Sequence, residues 1–392
     1  MKPLIQLGSL LLAGLFSVAS IAQQPLLVEK QTFTLDEYTT HGGETIRNVK
    51  VGWEAYGELN EAKDNVILVT HFFSGNSHAA GKYTPDDAQA GYWDAIIGPG
   101  KAIDTNEFYV VSVDSLVNAY PNLPTVVTTG PASINPETGK PYGLDFPVVT
   151  IRDFVNVQKA VLESQGIDKL HAVIGASMGS LQAIEWAAAY PDWVERMVSV
   201  IGTASMDAWT IAGLEAWSQA IKLDPNWNAG DYYDGQAPLD GVTMAQALIT
   251  HGAMYPTIFN QVAPAQQTLP TEGLATVNNQ LPAAKWLYDS SRQRAPLADA
   301  NHILYLVRAN QLFIAGHQQT LKEGLNNISA KTLFLPASND LLLMPYMAEN
   351  AAEQLKALDK DVEIEHIDGP WGHLDGIYSI QQKADTLKAF LQ

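Results

Sequence analysis

The hydrophobic positions along the chain fall into two kinds of pattern. Asn65 to Thr70 (NVILVT), Phe108 to Val113 (FYVVSV) and Leu170 to Ile174 (LHAVI) are short apolar runs bounded by Gly, Asp or Asn. Unalternated runs of that length fit strands buried on both faces of a parallel sheet. Thr150 to Ser164 and Leu181 to Tyr190 carry their apolar residues at helical spacing and fit helices that cross over such a sheet. Nearer the N-terminus, Gln31 to Leu35 and Ile46 to Tyr56 are extended patterns around His41-Gly42-Gly43, which predicts a hairpin.

After Gly202 the pattern becomes helical. Met206 to Leu223 and Thr243 to Met254 place Trp, Ala and Leu at helical spacing, with Pro, Gly and Asn breaking the stretch at intervals. No strand-like run returns until Lys331 to Leu335 (KTLFL), which is followed by Val362 to Ile367 and a closing helix from about Gly376 to Leu391. Strands alternating with helices imply a mostly parallel, doubly wound α/β sheet. The long helical stretch reads as an inserted lid over residues 204–327, dividing the core into 23–203 and 328–392. There are no internal repeats and no low-complexity segment.

Composition adds limits. Of 392 residues, 46% are hydrophobic and 17% charged, enough apolar material for a large packed core. The net charge of −19 would repel nucleic acid and anionic lipid, so neither is expected as a partner. There is no Cys, which excludes disulfides, thiolate metal sites and a Cys nucleophile. Lys2 is the only charge before an apolar run from Leu4 to Ile21, and Ser20-Ile21-Ala22 offers small residues at the −3 and −1 positions. That reads as a signal peptide over residues 1–22, giving a periplasmic or secreted protein that starts near Gln23. Gln6, Gly8, Ser9 and Gly14 interrupt the run, which disfavours a membrane anchor.

The chemistry starts at Gly175-Ala176-Ser177-Met178-Gly179, which follows the run LHAVI and opens a helix. G-x-S-x-G at a strand-to-helix turn presents a serine on a tight turn, with glycines where neighbouring backbone must pass closely. Serine needs a base, and in this arrangement the order along the chain is Ser, acid, His. His373 lies on the loop after VEIEHID and before the last helix. Asp340 lies just past the strand KTLFL, with Asp368 and Asp375 as alternatives too close in sequence to His373. The oxyanion donors would be the backbone N–H of Met178 and one from His71-Phe72-Phe73-Ser74-Gly75, with Phe73 chosen and Phe72 its rival. His71 and His78 lack helical spacing and an acidic third ligand, so structural roles are preferred to a metal pair. Gly98-Pro99-Gly100 is a turn. No P-loop, dinucleotide or zinc motif is present, so no cofactor and no metal are expected.

With these residues in place, the chain resembles the homoserine O-acetyltransferase family, a branch of the α/β hydrolases. The likeness is densest at Tyr92 to Thr105 (YWDAIIGPGKAIDT), Gly130 to Asp153 (GPASINPETGKPYGLDFPVVTIRD) and Gly175 to Tyr190. The resemblance implies the α/β-hydrolase fold, the triad Ser177, Asp340 and His373, and a ping-pong passage of an acyl group through the serine to an alcohol. It also suggests a homodimer with lid helices at its interface. The chain departs from the family at the acceptor site. Gln246 stands where the family's carboxylate-binding Arg would be. Ala253 replaces a substrate-linked Tyr, and Leu374 replaces an Asp that can meet the substrate amine. Val117 to Leu123 replaces a Gly-rich loop. Losing both charges is hard to reconcile with homoserine as acceptor.

Acetyl-CoA is cytoplasmic, so an exported enzyme would lack that donor, and water becomes the natural second nucleophile. The expectation is therefore a serine ester hydrolase acting on a small-molecule ester, with Gln246, Leu374 and Phe72 near the substrate. The alternatives are an O-acyltransferase and a catalytically dead scaffold, the latter disfavoured by the intact triad. Trp209, Trp217, Trp227, Met206 and Met244 would either line an apolar acyl pocket or pack the lid.

Overall fold

The computed structural model describes residues 26–269 and 271–392, so the signal peptide expected over residues 1–22 lies outside them. Eight strands form one sheet: β1 (Gln31–Thr39), β2 (Thr45–Tyr56), β3 (Val66–Thr70), β4 (Tyr109–Val113), β5 (Leu170–Ala176), β6 (Val194–Val200), β7 (Lys331–Leu335) and β8 (Val362–Ile364). Their spatial order is β1-β2-β4-β3-β5-β6-β7-β8. β2 runs antiparallel to both β1 and β4, and every pair from β4 to β8 is parallel.

The central runs are unalternated because both faces of the sheet are covered. In β3, Val66 and Leu68 face one core cluster, and Ile67 and Val69 face the other. The first cluster lies under α1 (Ile151–Ser164) and α2 (Met178–Ala189), the second under the 92–103 segment and the C-terminal helix. Thr150 caps α1, as Asp153 Oδ2 accepts from the Thr150 N–H at 2.7 Å. The other Asp153 oxygen accepts from the Tyr38 hydroxyl at 2.7 Å and the His41 N–H at 2.6 Å. His41-Gly42-Gly43 is therefore the β1–β2 turn, pinned to the start of α1.

Between β6 and β7 the chain forms α3 (Ala208–Lys222), α4 (Leu239–Ala253), α5 (Pro256–Val262), α6 (Pro282–Arg292), α7 (Ala300–Gln311) and α8 (Leu321–Asn326), with short 3₁₀ turns between some of them. After β7 come α9 (Pro345–Lys356), α10 (Asp375–Tyr378) and α11 (Ala384–Leu391). Among the described residues, no helix is long and apolar enough to cross a membrane.

The elements differ from the sequence reading in several places, which include α9 and a short parallel pair of Ile97–Gly98 with Ile103–Asp104 that it does not name. β6 (VERMVSV) was missing from it, because Glu195 and Arg196 break the apolar run at the strand's exposed entry. The strand expected over Val362 to Ile367 is regular only to Ile364, beyond which pairing continues as a bridge between Ile367 and Ala337. The single closing helix from Gly376 is in fact α10, a 3₁₀ turn at Ile380–Lys383 and then α11. Its first turn is held to the preceding loop, since Asp375 accepts from the Gly372 N–H and from the Ser379 hydroxyl.

Candidate active site

Ser177 sits between β5 and α2 with φ 56° and ψ −122°, a left-handed conformation that a non-glycine residue adopts at a cost of about 1–3 kcal/mol. The flanking glycines make this turn possible. A Cβ on Gly175 would fall 2.2 Å from the Thr70 hydroxyl, and one on Gly179 would fall 2.0 Å from the Thr70 carbonyl oxygen. The Thr70 hydroxyl donates to the Gly179 carbonyl at 2.7 Å, locking the turn onto β3.

His373 reaches this serine from the loop after β8. Its Nε2 lies 2.8 Å from Ser177 Oγ, and its Nδ1 lies 2.7 Å from Asp340 Oδ2. Asp340 follows β7, and its other oxygen accepts from the Leu342 and Leu343 N–H groups at 2.8 and 3.0 Å. All three residues are buried, with Ser177 8% exposed at the rim of a cavity. Asp368 and Asp375 are engaged elsewhere, Asp368 with the Ser338 hydroxyl and Asp375 with Gly372 and Ser379. A serine, an imidazole and a carboxylate in that sequence can pass a proton from the hydroxyl while the carboxylate fixes the ring's tautomer.

The two expected oxyanion donors, the Met178 and Phe73 N–H groups, lie on segments that adjoin the serine. Met178 opens α2, so its N–H has no partner within the helix. In the loop after β3, the Phe72 carbonyl accepts from the Gly75 N–H at 2.9 Å and from the His71 ring at 2.8 Å. The carbonyl of Phe72 and the N–H of Phe73 belong to one trans peptide, so turning the first into the loop turns the second out of it. His71 itself is fully buried. Its Nε2 accepts from the Ser115 N–H at 3.0 Å, and burial pushes the ring below its ordinary pKa, so it is neutral. His78 faces Glu54 instead, at 3.0 Å. No group of three or more His, Cys, Asp or Glu residues is placed to hold a metal among the described residues.

The cavity beside Ser177 measures about 70 Å³ and is almost wholly apolar. Phe72 and Phe73 enter from the loop after β3, Trp217 from α3, Ile249 and Ala253 from α4, and Leu374 from the His373 loop. Phe73 packs edge-on against Trp217, with ring centroids 5.6 Å apart. Gln246 is not part of this wall. It lies on α4 one turn before Ile249, 2% exposed, with neither amide atom hydrogen bonded. Of the five candidate lid residues, Met206 and Trp217 line the cavity. Trp209 and Met244 are turned to solvent, and Trp227 donates to Asn301 and lines a different pocket. The sequence reading missed Thr210 and Asn310, the two polar side chains of the wall besides Ser177 and His373. Nothing local in the sequence marks them as facing a cavity.

Residues 128–379 match the family model for the α/β hydrolase fold. The homoserine O-acetyltransferase of Methanococcoides burtonii is 36% identical over 342 residues, 86% of this chain and 68% of that one. Among solved structures, esterase E22 superposes with a TM-score of 0.91 at 56% identity, covering 93% of this chain and all of that one. Its L374D mutant has also been solved and gives a TM-score of 0.90. The homoserine O-acetyltransferase of Bacillus anthracis gives a TM-score of 0.90 at 37% identity, covering 93% of this chain and 98% of that one. The chain thus belongs to the α/β-hydrolase family, in the branch of homoserine O-acetyltransferase-like acyltransferases and esterases.

Proposed function

We propose that the protein is an exported serine ester hydrolase acting on short acyl esters. The observation that carries this reading is the wall of the cavity beside Ser177. It offers Ala253 and Leu374 but no free charge to hold the carboxylate and ammonium of an amino-acid acceptor. An ammonium group placed there would be desolvated without a partner, at a cost of several kcal/mol. Water needs no such site. A leader of the kind read over residues 1–22 would also remove the enzyme from cytoplasmic acyl-CoA.

In the proposed cycle, Ser177 Oγ attacks the ester carbonyl carbon while His373 Nε2 takes the hydroxyl proton. Asp340 holds the ring so that Nε2 is the free nitrogen and stabilises the imidazolium that forms. The Met178 and Phe73 N–H groups donate to the developing oxyanion. The tetrahedral adduct collapses, the C–O bond to the alcohol breaks, and His373 returns the proton to the leaving oxygen. Water then attacks the acyl-serine with His373 again as base, releasing the acid and restoring Ser177. Deacylation by an alcohol in place of water would give the transferase reaction that the similarity to homoserine O-acetyltransferases favours.

The test is hydrolysis of p-nitrophenyl acetate and butyrate by the wild type and by Ser177→Ala, alongside CoA release from acetyl-CoA with and without homoserine. Serine-dependent ester hydrolysis without CoA release is expected. Loss of a triad member lowers kcat by on the order of 10⁴–10⁶. CoA release that requires both Ser177 and homoserine would overturn the hydrolase reading. N-terminal sequencing of the protein from the periplasm or medium tests export, and recovery of the uncleaved chain from the cytoplasm would refute it.

A further inference from the structure

One polar group in the cavity wall has no part in that chemistry. Asn310, on α7, is 5% exposed and lines the cavity. Its Nδ2 donates to the Leu306 carbonyl, one turn back, at 2.8 Å. That bond fixes the orientation of the amide, because a flip would set Oδ1 against the Leu306 oxygen. Oδ1 is left as an acceptor with no donor among the described residues. Unlike the sealed amide atoms of Gln246, it remains accessible. The nearby Thr210 hydroxyl is directed at Met347 Sδ, 3.8 Å away, and does not serve it.

An acceptor held open in an apolar cavity costs about 1–3 kcal/mol if nothing donates to it. A substrate with a matching donor therefore gains over one without it. The donor must be neutral. No Asp or Glu lines the cavity, and Asp340 already holds His373, so a cation would enter without a counter-charge. The ligand must also be small. A single water needs on the order of 10–15 Å³, so a space of about 70 Å³ takes about five heavy atoms before side chains move.

We propose that Asn310 is a specificity-determining residue that accepts a hydrogen bond from a substrate hydroxyl, so that the preferred substrates are short hydroxylated esters. The proposal rests on the ester-hydrolase reading above. It gives the lid helix α7 a direct role in choosing the substrate. It also explains why an otherwise apolar pocket keeps one carboxamide.

The experiment uses two matched pairs of esters on the wild type, Asn310→Leu and Asn310→Ala. p-Nitrophenyl butyrate against p-nitrophenyl 3-hydroxybutyrate probes the acyl side, and ethyl acetate against 2-hydroxyethyl acetate probes the alcohol side. In the wild type, the hydroxylated member of one pair should be favoured by about tenfold in kcat/KM, the equivalent of one net hydrogen bond. Both variants should lose that preference, with the kcat/KM ratio within the pair falling to about one whatever their absolute rates on the plain esters. Thermal melts show that each variant is folded. Equal rates within both pairs would overturn the proposal, as would variants that slow both members of a pair alike. The hydrolase reading fails separately, by absence of Ser177-dependent turnover on all four esters.

Discussion

At the scale of single residues, the site depends on small groups in places where larger ones do not fit. Ser177 keeps its left-handed backbone because Gly175 and Gly179 let β3 approach within contact of the turn. Leu374 decides the acceptor in the proposed reading, since it lies in the cavity wall next to His373 in sequence. Leu374→Asp should restore a partner for an ammonium group. Homoserine-dependent CoA release should then rise at least about tenfold over the wild type, the worth of one charge-assisted hydrogen bond. No rise would mean that this position does not govern acceptor choice. The three residues that lie within hydrogen-bond reach, Ser177, His373 and Asp340, were legible at this scale, because G-x-S-x-G in a strand–turn–helix context and the order Ser, Asp, His are properties of the chain itself. Gln246 was expected near the substrate and Asn310 was not singled out. Helical spacing gives a face, and only packing gives depth. The structure buries Gln246 behind the wall and opens Asn310 onto it.

At the scale of elements, β2 anchors the loop that carries the proposed oxyanion donor. Glu54 on β2 is fully buried and accepts from the Tyr56 hydroxyl at 2.9 Å, the Tyr83 hydroxyl at 2.7 Å and the His78 ring at 3.0 Å. Lys30 pairs with it at 2.9 Å and also reaches Asp114, which accepts from the Ser77 N–H at 2.7 Å. Burial by itself would raise the Glu54 pKa. The His78 hydrogen bond, the Lys30 charge and the Tyr83 hydroxyl overcome that and hold it at about 2, against an ordinary 4.5. A depressed carboxylate stabilises the fold above its unfolded pKa and loses that contribution as pH falls toward its folded pKa. The shift corresponds to about 3 kcal/mol, of which about 2 kcal/mol is gone by pH 3. Unfolding free energies from urea titrations of the wild type and Glu54→Gln should therefore differ by about 2 kcal/mol less at pH 3 than at pH 7. A difference independent of pH would show that Glu54 acts through packing alone. The sequence marked β2 as a strand but carried no sign of this network, because its members come from segments up to 84 residues apart.

At the scale of the whole molecule, the cavity exists only where the core and the helices between β6 and β7 meet. Phe73 from the core packs on Trp217 from α3, and Met254 at the end of α4 pairs with Gly372 beside His373. Trp217 is the bulkiest side chain of the cavity wall. Trp217→Leu should open room for about two more methylenes and shift p-nitrophenyl ester preference from acetate toward butyrate and hexanoate. Each buried methylene is worth about 0.8 kcal/mol, or roughly fourfold in kcat/KM. An unchanged chain-length profile would place the acyl group elsewhere in the site.

The amino-acid sequence alone is enough for the α/β class, most strands of the parallel sheet, the hairpin at its edge and the three residues within hydrogen-bond reach of one another. These follow from local pattern and from chain order, which a single chain carries in full. It lost β6, where charged residues at the strand's entry broke the run, and it joined α10 and α11, which a 3₁₀ turn at Ile380–Lys383 separates. Tertiary structure alone decided the cavity's volume, the membership of its wall and which amide opens onto it. Those depend on where side chains from five or more distant segments come to rest, and no periodicity along the chain records that.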